Sequence, residues 1–377
     1  MRIGLDARYV YDHFPGIGRY IANLAAALAE IDHGHRLVLI TNPTLPSTRH
    51  DLASLRRFPC VELASTMARP FALGEQLAMP LLARKLKLDL FHAPYYIRPY
   101  LGMPCPVAVT IHDMIGWKFP QILSARGRLF FRASMALSVR TAQKIITVSQ
   151  SARADIAFVY GLAPDQIAVT LEAAEPAFRP QPTESVTVLR AKYGLPERYV
   201  LYLGSNKPHK NLERLVRAWE RLVSEGQPDA TLLIAGHYDP RHPEARTMVA
   251  ERGLGASVRF MPNVAEAELP TLYSGALVFV FPSYYEGFGL PPLEAMACGA
   301  PVLCSYASSL PEVVGNAALM VDPYSFIEIA DGLRKLLGNP PLRRRLSQYG
   351  QARASTFSWD RTARATLRVY EGIGHRE

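Results

Sequence analysis

Two glutamates eight positions apart, Glu286 and Glu294, frame the stretch Gly287-Phe288-Gly289-Leu290-Pro291-Pro292. A carboxylate offers two acceptor oxygens, which suits the vicinal hydroxyls of a sugar. Glycines let backbone approach a ligand closely. The amides of Phe288, Gly289 and Leu290 can therefore meet phosphate or sugar oxygens where the helix at Pro291 begins. Glu286, in the loop, suits a transferred hexose, and Glu294, in the first helical turn, suits a ribose. A second constellation is Gly204-Ser205-Asn206-Lys207-Pro208-His209-Lys210-Asn211, directly after the apolar run Tyr199–Leu203. A strand that feeds a turn and then a helix aims backbone N–H groups and the positive end of the helix dipole at an anion. Lys210 stands at that helix start and can neutralise a diphosphate. The segment lacks the GxxxxGK[ST] pattern of a P-loop. In the first half, His112 and Asp113 follow the strand-like Val107–Ile111, and Gly16-Ile17-Gly18-Arg19-Tyr20 precedes a helix. Asp113 either orients the imidazole or caps a turn.

The elements that must carry these residues alternate. Arg2–Leu5, Arg36–Thr41, Asp89–His92, Val107–Ile111 and Lys144–Val148 read as strands, and Phe119–Ala142 reads as an arginine-rich helix. After the first glycines, Ile21, Leu24, Ala25 and Leu28 fall on one helical face. Prolines between Pro176 and Pro196 break the pattern, so residues 179–197 read as a linker. The alternation then resumes with Tyr199–Leu203, Thr231–Ala235, Val258–Met261, Ala276–Phe281 and Pro301–Ser305 as strands. Helix Asn211–Leu222 buries Leu212, Leu215, Val216, Trp219 and Leu222. Such β/α alternation implies parallel sheets covered on both faces. The expected organisation is α/β: a Rossmann-like domain over 1–178, the linker, and a second Rossmann-like domain over 198–358. In such sheets ligands sit beyond the carboxyl ends of the strands.

The segment from Glu286 to Glu294, running on as GFGLPPLEAMACGAPV, resembles the E-x7-E signature of retaining glycosyltransferase family 4, whose GT-B fold sets two Rossmann-like β/α/β domains facing a central cleft. The resemblance spans nearly the whole chain: Gly16-Ile17-Gly18-Arg19-Tyr20, Ile111-His112-Asp113, Lys210-Asn211, Leu310-Pro311-Glu312-Val313-Val314-Gly315-Asn316 and Phe357-Ser358-Trp359-Asp360 resemble its other landmarks. It implies that Lys210 holds the diphosphate of a nucleotide-sugar and that Glu294 binds the donor ribose. Glu286, with Gly287 and the Phe288–Leu290 amides, would bind the donor hexose, and His112 would sit over that hexose. Gly16 and Gly18 would let the first domain reach the β-phosphate and the acceptor, and the base would lie near Asn263 and Val264. His112, Asp113 and Glu286 are thus the candidate catalytic residues. The last helix, over 359–377, would pack back on the first domain. Many relatives place an arginine beside the lysine; here His209 and Ser205-Asn206 stand at those positions. A protonated His209, Lys207 or an arginine of the first domain would have to replace it.

The branch with GIGRY near its start resembles mannosyl- and rhamnosyltransferases of polysaccharide and lipopolysaccharide synthesis. A GDP-sugar is the expected donor ahead of a UDP-sugar, and a glycan or polyprenyl-diphosphate-linked saccharide is the expected acceptor. The chain contains no DxD motif, so no metal and no cofactor beyond the donor are expected. Two readings of the same fold stay open: a nucleotide-sugar 2-epimerase, and a relative that binds donor without catalysis. A dehydrogenase is excluded. Ile21 stands where a third glycine would fall, and the second strand ends in Thr41-Asn42 without a carboxylate for ribose.

Composition sets the outer bounds. The 377 residues exceed one ordinary core, and 49% hydrophobic with 20% charged excludes a disordered chain. The formal charge is +9, most of it in the first 180 residues. That points to an anionic partner, and no nucleic-acid-binding module accompanies it. Arg56, Arg57, Arg84, Lys85 and Lys87 flank apolar stretches such as Leu73–Leu82, a pattern that docks on anionic lipid. The uncharged stretches Leu269–Tyr285 and Ala295–Pro311 fall short of the ~20 residues that span a bilayer. No export signal is read at the start. The expected location is the cytoplasm, with peripheral contact at the inner leaflet. Cys60, Cys105, Cys298 and Cys304 form no CxxC pair and read as reduced packing residues.

Overall fold

The structure, a computed structural model, describes residues 1–31, 33–45, 47–226, 228–261 and 264–374. It divides into two units: Met1–Glu172 together with the chain from Ser358 onward, and Ala173–Phe357.

The first unit holds a seven-stranded parallel sheet in the order β3-β2-β1-β4-β5-β6-β7. Its strands are β1 (Arg2–Asp6), β2 (Arg36–Thr41), β3 (Val61–Ser65), β4 (Leu90–Ala93), β5 (Val107–Ile111), β6 (Lys144–Thr147) and β7 (Ile167–Val169). The central strands β4 and β5 are buried at every position, as a parallel sheet covered on both faces requires. Helix Pro15–Glu30 buries Ile21, Leu24, Ala25 and Leu28. The C-terminal helix Trp359–Gly374 joins this unit: the Tyr370 hydroxyl lies 2.6 Å from His92 Nδ1, and Trp359 stacks edge-on against Tyr20.

The second unit holds a six-stranded parallel sheet in the order β10-β9-β8-β11-β12-β13. Its strands are β8 (Tyr199–Leu203), β9 (Thr231–Ala235), β10 (Val258–Met261), β11 (Val278–Phe281), β12 (Val302–Ser305) and β13 (Leu319–Val321). Helix Leu212–Ser224 buries the five residues read from its periodicity, Leu212 through Leu222.

Three sequence expectations change. Residues 179–197 are not a bare linker: Thr183–Tyr193 is a helix of the second unit, burying Val186 and Leu189 and ending at a left-handed Gly194. Its prolines lie outside the helix, where they do no harm. The arginine-rich helix starts at Ala125, because Pro120 opens a separate turn and Ser124 caps the helix by accepting the Gly127 N–H at 3.1 Å. The short strands β3, β7 and β13 at the sheet edges went unread; edge strands carry weak apolar signal. The four cysteines are unpaired. Burial pushes the thiols of Cys298 and Cys304 up to about 12, as befits packing residues.

Candidate active site

In the second unit the strand order reverses between β8 and β11, and the helices that follow them depart to opposite sides. A crevice opens at such a switch point. Lys210 leaves β8 through the tight turn Pro208–Lys210. Asn211 comes next in a left-handed conformation (φ 62°), which asparagine tolerates better than most residues. Its buried amide donates to the carbonyls of Pro282 at 2.9 Å and Pro323 at 2.7 Å. One side chain thereby staples the exit of β8 to the exit of β11.

The staple decides where Lys210 points. Its Nζ lies 2.7 and 2.9 Å from the two carboxylate oxygens of Glu286, and 5.1 Å from the centre of the Phe281 ring. The residue read as the diphosphate ligand and the residue read as the hexose ligand form one ion pair, mostly shielded from water. Glu286 is fixed from behind: its N–H donates to Ser308 Oγ at 2.8 Å, and Ser309 Oγ–H lies within reach of the carbonyls of Glu286 and Phe288. Gly289 holds φ 117°, and a Cβ there would meet Leu310 Cδ2 at 2.7 Å. Only glycine fits this turn.

Helix Leu290–Ala297 starts one residue earlier than read. Its second and third residues are Pro291 and Pro292, which have no N–H. Donors for an anion therefore come from the preceding loop: among the described residues no hydrogen bond uses the amides of Phe288, Gly289 or Leu290. Gly287 lies between Glu286 and these amides. Glu294 sits one turn into the helix, buried, and its Oε2 accepts the Tyr273 hydroxyl at 3.0 Å.

Beside this pair, at the carboxyl ends of β8, β9 and β10, a cleft is lined by Gly204, Gly236, His237, Tyr238, Arg246 and Phe260. Gly204 and Gly236 bring two strand ends together so closely that a Cβ on Gly236 would sit 2.3 Å from the Gly204 carbonyl. The Arg246 guanidinium stacks over Tyr238 at 4.1 Å and Phe260 at 4.9 Å. Val264 lies three residues past β10, half-buried, and Asn263 lies outside the described residues.

The replacements offered for the missing arginine narrow. His209 is buried, and burial, aided by Lys210 and Lys207, lowers its pKa to about 3. It is neutral and carries no charge to a diphosphate. Asn206 is spent on structure: its amide donates to the carbonyls of Asp239 and His242, and its oxygen accepts the Asp239 N–H at 2.7 Å. Lys207 is exposed.

In the first unit, His112 stands past the end of β5, with both ring nitrogens facing acceptors. Nε2 lies 3.0 Å from the Pro94 carbonyl, and Nδ1 lies 3.3 Å from Glu172 Oε1. The Tyr20 ring abuts the imidazole edge-on at 4.7 Å. Asp113 Oδ1 accepts the Ile115 N–H at 2.8 Å, so it caps the turn that follows. The group that orients the imidazole is the buried Glu172, which sequence reasoning missed. It lies sixty residues on, and no local pattern links it to His112. Gly16 and Gly18 are not in a loop. They occupy the first turn of helix Pro15–Glu30 with ordinary φ values, and only Gly18 lies close to neighbouring backbone, at Tyr9 and Val10.

Residues 15–171 match the family model for Glycosyltransferase Family 4, and residues 186–353 match that for Glycosyl transferases group 1. An O-antigen chain mannosyltransferase B of Escherichia coli is 32% identical over 94% of this chain and 96% of its own length. The chain belongs to glycosyltransferase family 4. A serotype-specific mannosyltransferase, WbdA of Escherichia coli, is 34% identical over 71% of this chain, which spans about a third of that larger relative (34%). Among solved structures, sucrose-phosphate synthase of Thermosynechococcus elongatus superposes with a TM-score of 0.78 over 99% of both chains at 23% identity. The two parallel sheets are the two Rossmann-like halves of the family's GT-B fold. Within that fold the ion pair Lys210–Glu286, the glycine loop and Glu294 all belong to the second half.

Proposed function

We propose that this glycosyltransferase moves mannose, or a related 6-deoxyhexose such as rhamnose, from a GDP-sugar to a glycan or polyprenyl-diphosphate-linked saccharide during O-antigen or surface-polysaccharide synthesis. The names of its full-length and partial relatives support the sugar. The observation that carries the chemistry is the shielded pair Lys210–Glu286, set beside unused loop amides at the sheet's switch point. Breaking the anomeric C–O bond leaves an oxocarbenium-like sugar and puts one further negative charge on the diphosphate. The Lys210 ammonium and the Phe288–Leu290 amides stabilise that charge as it develops. Glu286 and Gly287 hold hydroxyls of the transferred hexose, Glu294 holds the ribose, and His112 is the catalytic candidate of the first unit. The base lies in the cleft of Tyr238, Arg246 and Phe260, with Val264 and Asn263 beyond it.

The reaction retains configuration: the acceptor oxygen attacks from the leaving-group face, and a phosphate oxygen takes its proton. A trapped glycosyl-enzyme would overturn this step. The absence of DxD supports transfer without a metal, so chelation by EDTA leaves the rate unchanged. The work is done at the cytoplasmic face of the inner membrane.

A thermal-shift panel of GDP- and UDP-sugars tests the donor. A true donor at a hundredfold excess over Kd stabilises by about 2.7 kcal/mol. A larger shift with any UDP-sugar than with GDP-mannose refutes the GDP assignment. Glu294→Ala should weaken the donor that fits, and unchanged binding removes the ribose role. Incubation with donor alone should return it intact; isomerised sugar would instead favour the epimerase reading.

A further inference from the structure

The carboxyl end of the second sheet has two sides. On one, the cleft of Gly204, Gly236 and Arg246 takes the ends of β8, β9 and β10. On the other, the order β8-β11-β12-β13 leads away from that cleft, past Glu286, to the sheet edge. There one tyrosine follows each strand. Tyr284 comes three residues after β11, Tyr306 directly after β12, and Tyr324 three residues after β13. Tyr324 is 66% exposed and Tyr306 61%, while Tyr284 is half-buried. Scattered exposed apolar side chains need no explanation, but rings gathered at the ligand-binding end of a parallel sheet do.

The rings are held in place. Tyr284 and Tyr324 stack with centres 4.8 Å apart and planes 30° from parallel. The Arg214 guanidinium lies 5.3 Å from the centre of the Tyr284 ring and 6.0 Å from that of Tyr324. It donates to the Tyr284 hydroxyl, and its Nε–H donates to the Tyr324 carbonyl at 3.2 Å. The Tyr324 N–H donates to Asp322 Oδ1 at 2.8 Å, and the Tyr306 N–H donates to the Val321 carbonyl at 3.0 Å. The backbone of both exposed tyrosines is therefore fixed before a ligand arrives. A tyrosine freezes only two side-chain torsions on binding, so a fixed one offers contact area at low entropic cost.

Chemistry selects the ligand. A pyranose presents faces of C–H bonds that lie against an aromatic ring, and rim hydroxyls that bond to a phenol oxygen. A phosphate would need a cation, and Arg214, packed among these rings, is already turned to a hydroxyl and a carbonyl. We propose that Tyr306 and Tyr324, with Tyr284 and Arg214 backing Tyr324, form a ledge for neutral sugar that holds residues of the acceptor chain behind the one being extended. One loop makes the ledge continuous with Glu286. Tyr284 stands two residues before it, and the Asn211 amide ties Pro282 of that loop to Pro323, next to Tyr324. The ledge rests on the glycan-acceptor reading and makes it specific: the length of the acceptor, and not only its last sugar, sets affinity.

The test uses the full chain with mannose and a neutral mannotetraose, first without donor. In saturation-transfer NMR the C–H protons of the tetrasaccharide should take up saturation from the protein, and mannose should do so far more weakly. Tyr306→Ala with Tyr324→Ala should weaken tetrasaccharide binding about tenfold. Tyr324→Phe should retain it, because the ring makes the stack. Arg214→Ala, which removes the backing of Tyr324, should fall between the two. In transfer assays the parent's KM for mannotetraose should lie about tenfold below that for mannose, and the double variant should close that gap. The thermal shift given by the donor reports whether each variant is folded. A tetrasaccharide that binds no better than mannose, or a folded double variant that binds it like the parent, overturns the proposal. So does a dimer in sedimentation equilibrium that the double variant dissolves, since the rings would then cover a second copy of the chain. Tetrasaccharide binding that the double variant loses, in a protein that no GDP-sugar stabilises, leaves the ledge standing and sinks the donor assignment. A GDP-sugar shift without tetrasaccharide binding does the reverse.

Discussion

The two candidate site regions are assembled on opposite principles. In the second unit the candidate residues stand on loops leaving adjacent strands, β8 and β11, shaped by two backbone conformations, a left-handed Asn211 and a glycine-only turn at Gly289, with Ser308 and Ser309 packed behind Glu286. In the first unit His112 is set by groups far away in sequence, Pro94, Glu172 and Tyr20. The residues of the first arrangement lie in two local motifs that strand order then brings together, and the second exists only once the seven-stranded sheet has formed around it. A site of the first kind should fail sharply at single positions. A site of the second kind should weaken by degrees as each distant support is removed.

The largest effect should come from Lys210→Ala. It removes the cation that the proposed mechanism sets beside the developing phosphate charge and takes from Glu286 its ion-pair partner. Loss of about 2.7–4 kcal/mol of transition-state stabilisation corresponds to roughly a hundred- to a thousandfold fall in kcat. A fall below tenfold would show that the pair is structural.

Gly289→Ala should follow, at about 1–3 kcal/mol of strain. The new methyl meets Leu310 at a left-handed backbone position. Denaturant titration should show lower stability, and donor affinity should fall with it. A stable variant with unchanged affinity would mean that the loop relaxes freely.

Each unit also buries one neutral histidine, which allows a like-for-like comparison under acid. Burial lowers both His92 and His209 to about 3. The unfolded chain takes up a proton near the ordinary histidine value, whereas the folded chain resists until near 3. Stability is therefore full above about pH 6.5 and is lost as pH falls towards 3, with a slope of about 1.4 kcal/mol per pH unit per histidine. His92→Gln and His209→Gln should each flatten that slope in urea titrations across this window. An unchanged slope would show that the ring is accessible to protons in the native state.

The smallest catalytic effect expected is that of Glu172. It acts through His112 and touches no substrate in this account. Glu172→Ala should lower kcat about tenfold, roughly 1.4 kcal/mol, with KM little changed. Glu172→Gln should recover part of the loss, because an amide oxygen can still face Nδ1. Equal loss in both variants would assign the effect to charge, and no loss would remove the positioning role.

Much of the second unit's candidate site was legible because its determinants are close in sequence. Glu286, Glu294 and the glycines between them share one loop and helix, and Lys210 follows its strand by seven residues. The pairing of Lys210 with Glu286 was not legible. It depends on which strands become neighbours, and the order β8-β11 is a property of the sheet. For Asp113 the sequence allows a cap or an orienter, and it cannot choose between them when the competing carboxylate lies at Glu172.

The linker shows the opposite error: proline density was read as irregular chain, while a helix fitted between the prolines. The leucines of Glu75–Lys85 are a different case, read as part of a basic, apolar stretch that meets lipid and found exposed. Periodicity reports that an apolar stripe exists and not which way it faces. That was settled by Arg8 and Arg98, buried cations that draw Glu75 of this helix, and Ser138 and Thr141 of helix Ala125–Thr141, inward and turn the leucines out.

From the sequence alone came the β/α alternation, the family, and the residue types that can hold a sugar nucleotide, all carried by local periodicity and short motifs. Tertiary structure alone decided that lysine and glutamate share one pair, that Glu172 stands behind His112, and that helices Glu75–Lys85 and Ala125–Thr141 present leucine to the outside. Each of these is set by contacts between residues tens of positions apart, where burial and hydrogen-bond satisfaction across the whole unit outweigh local preference.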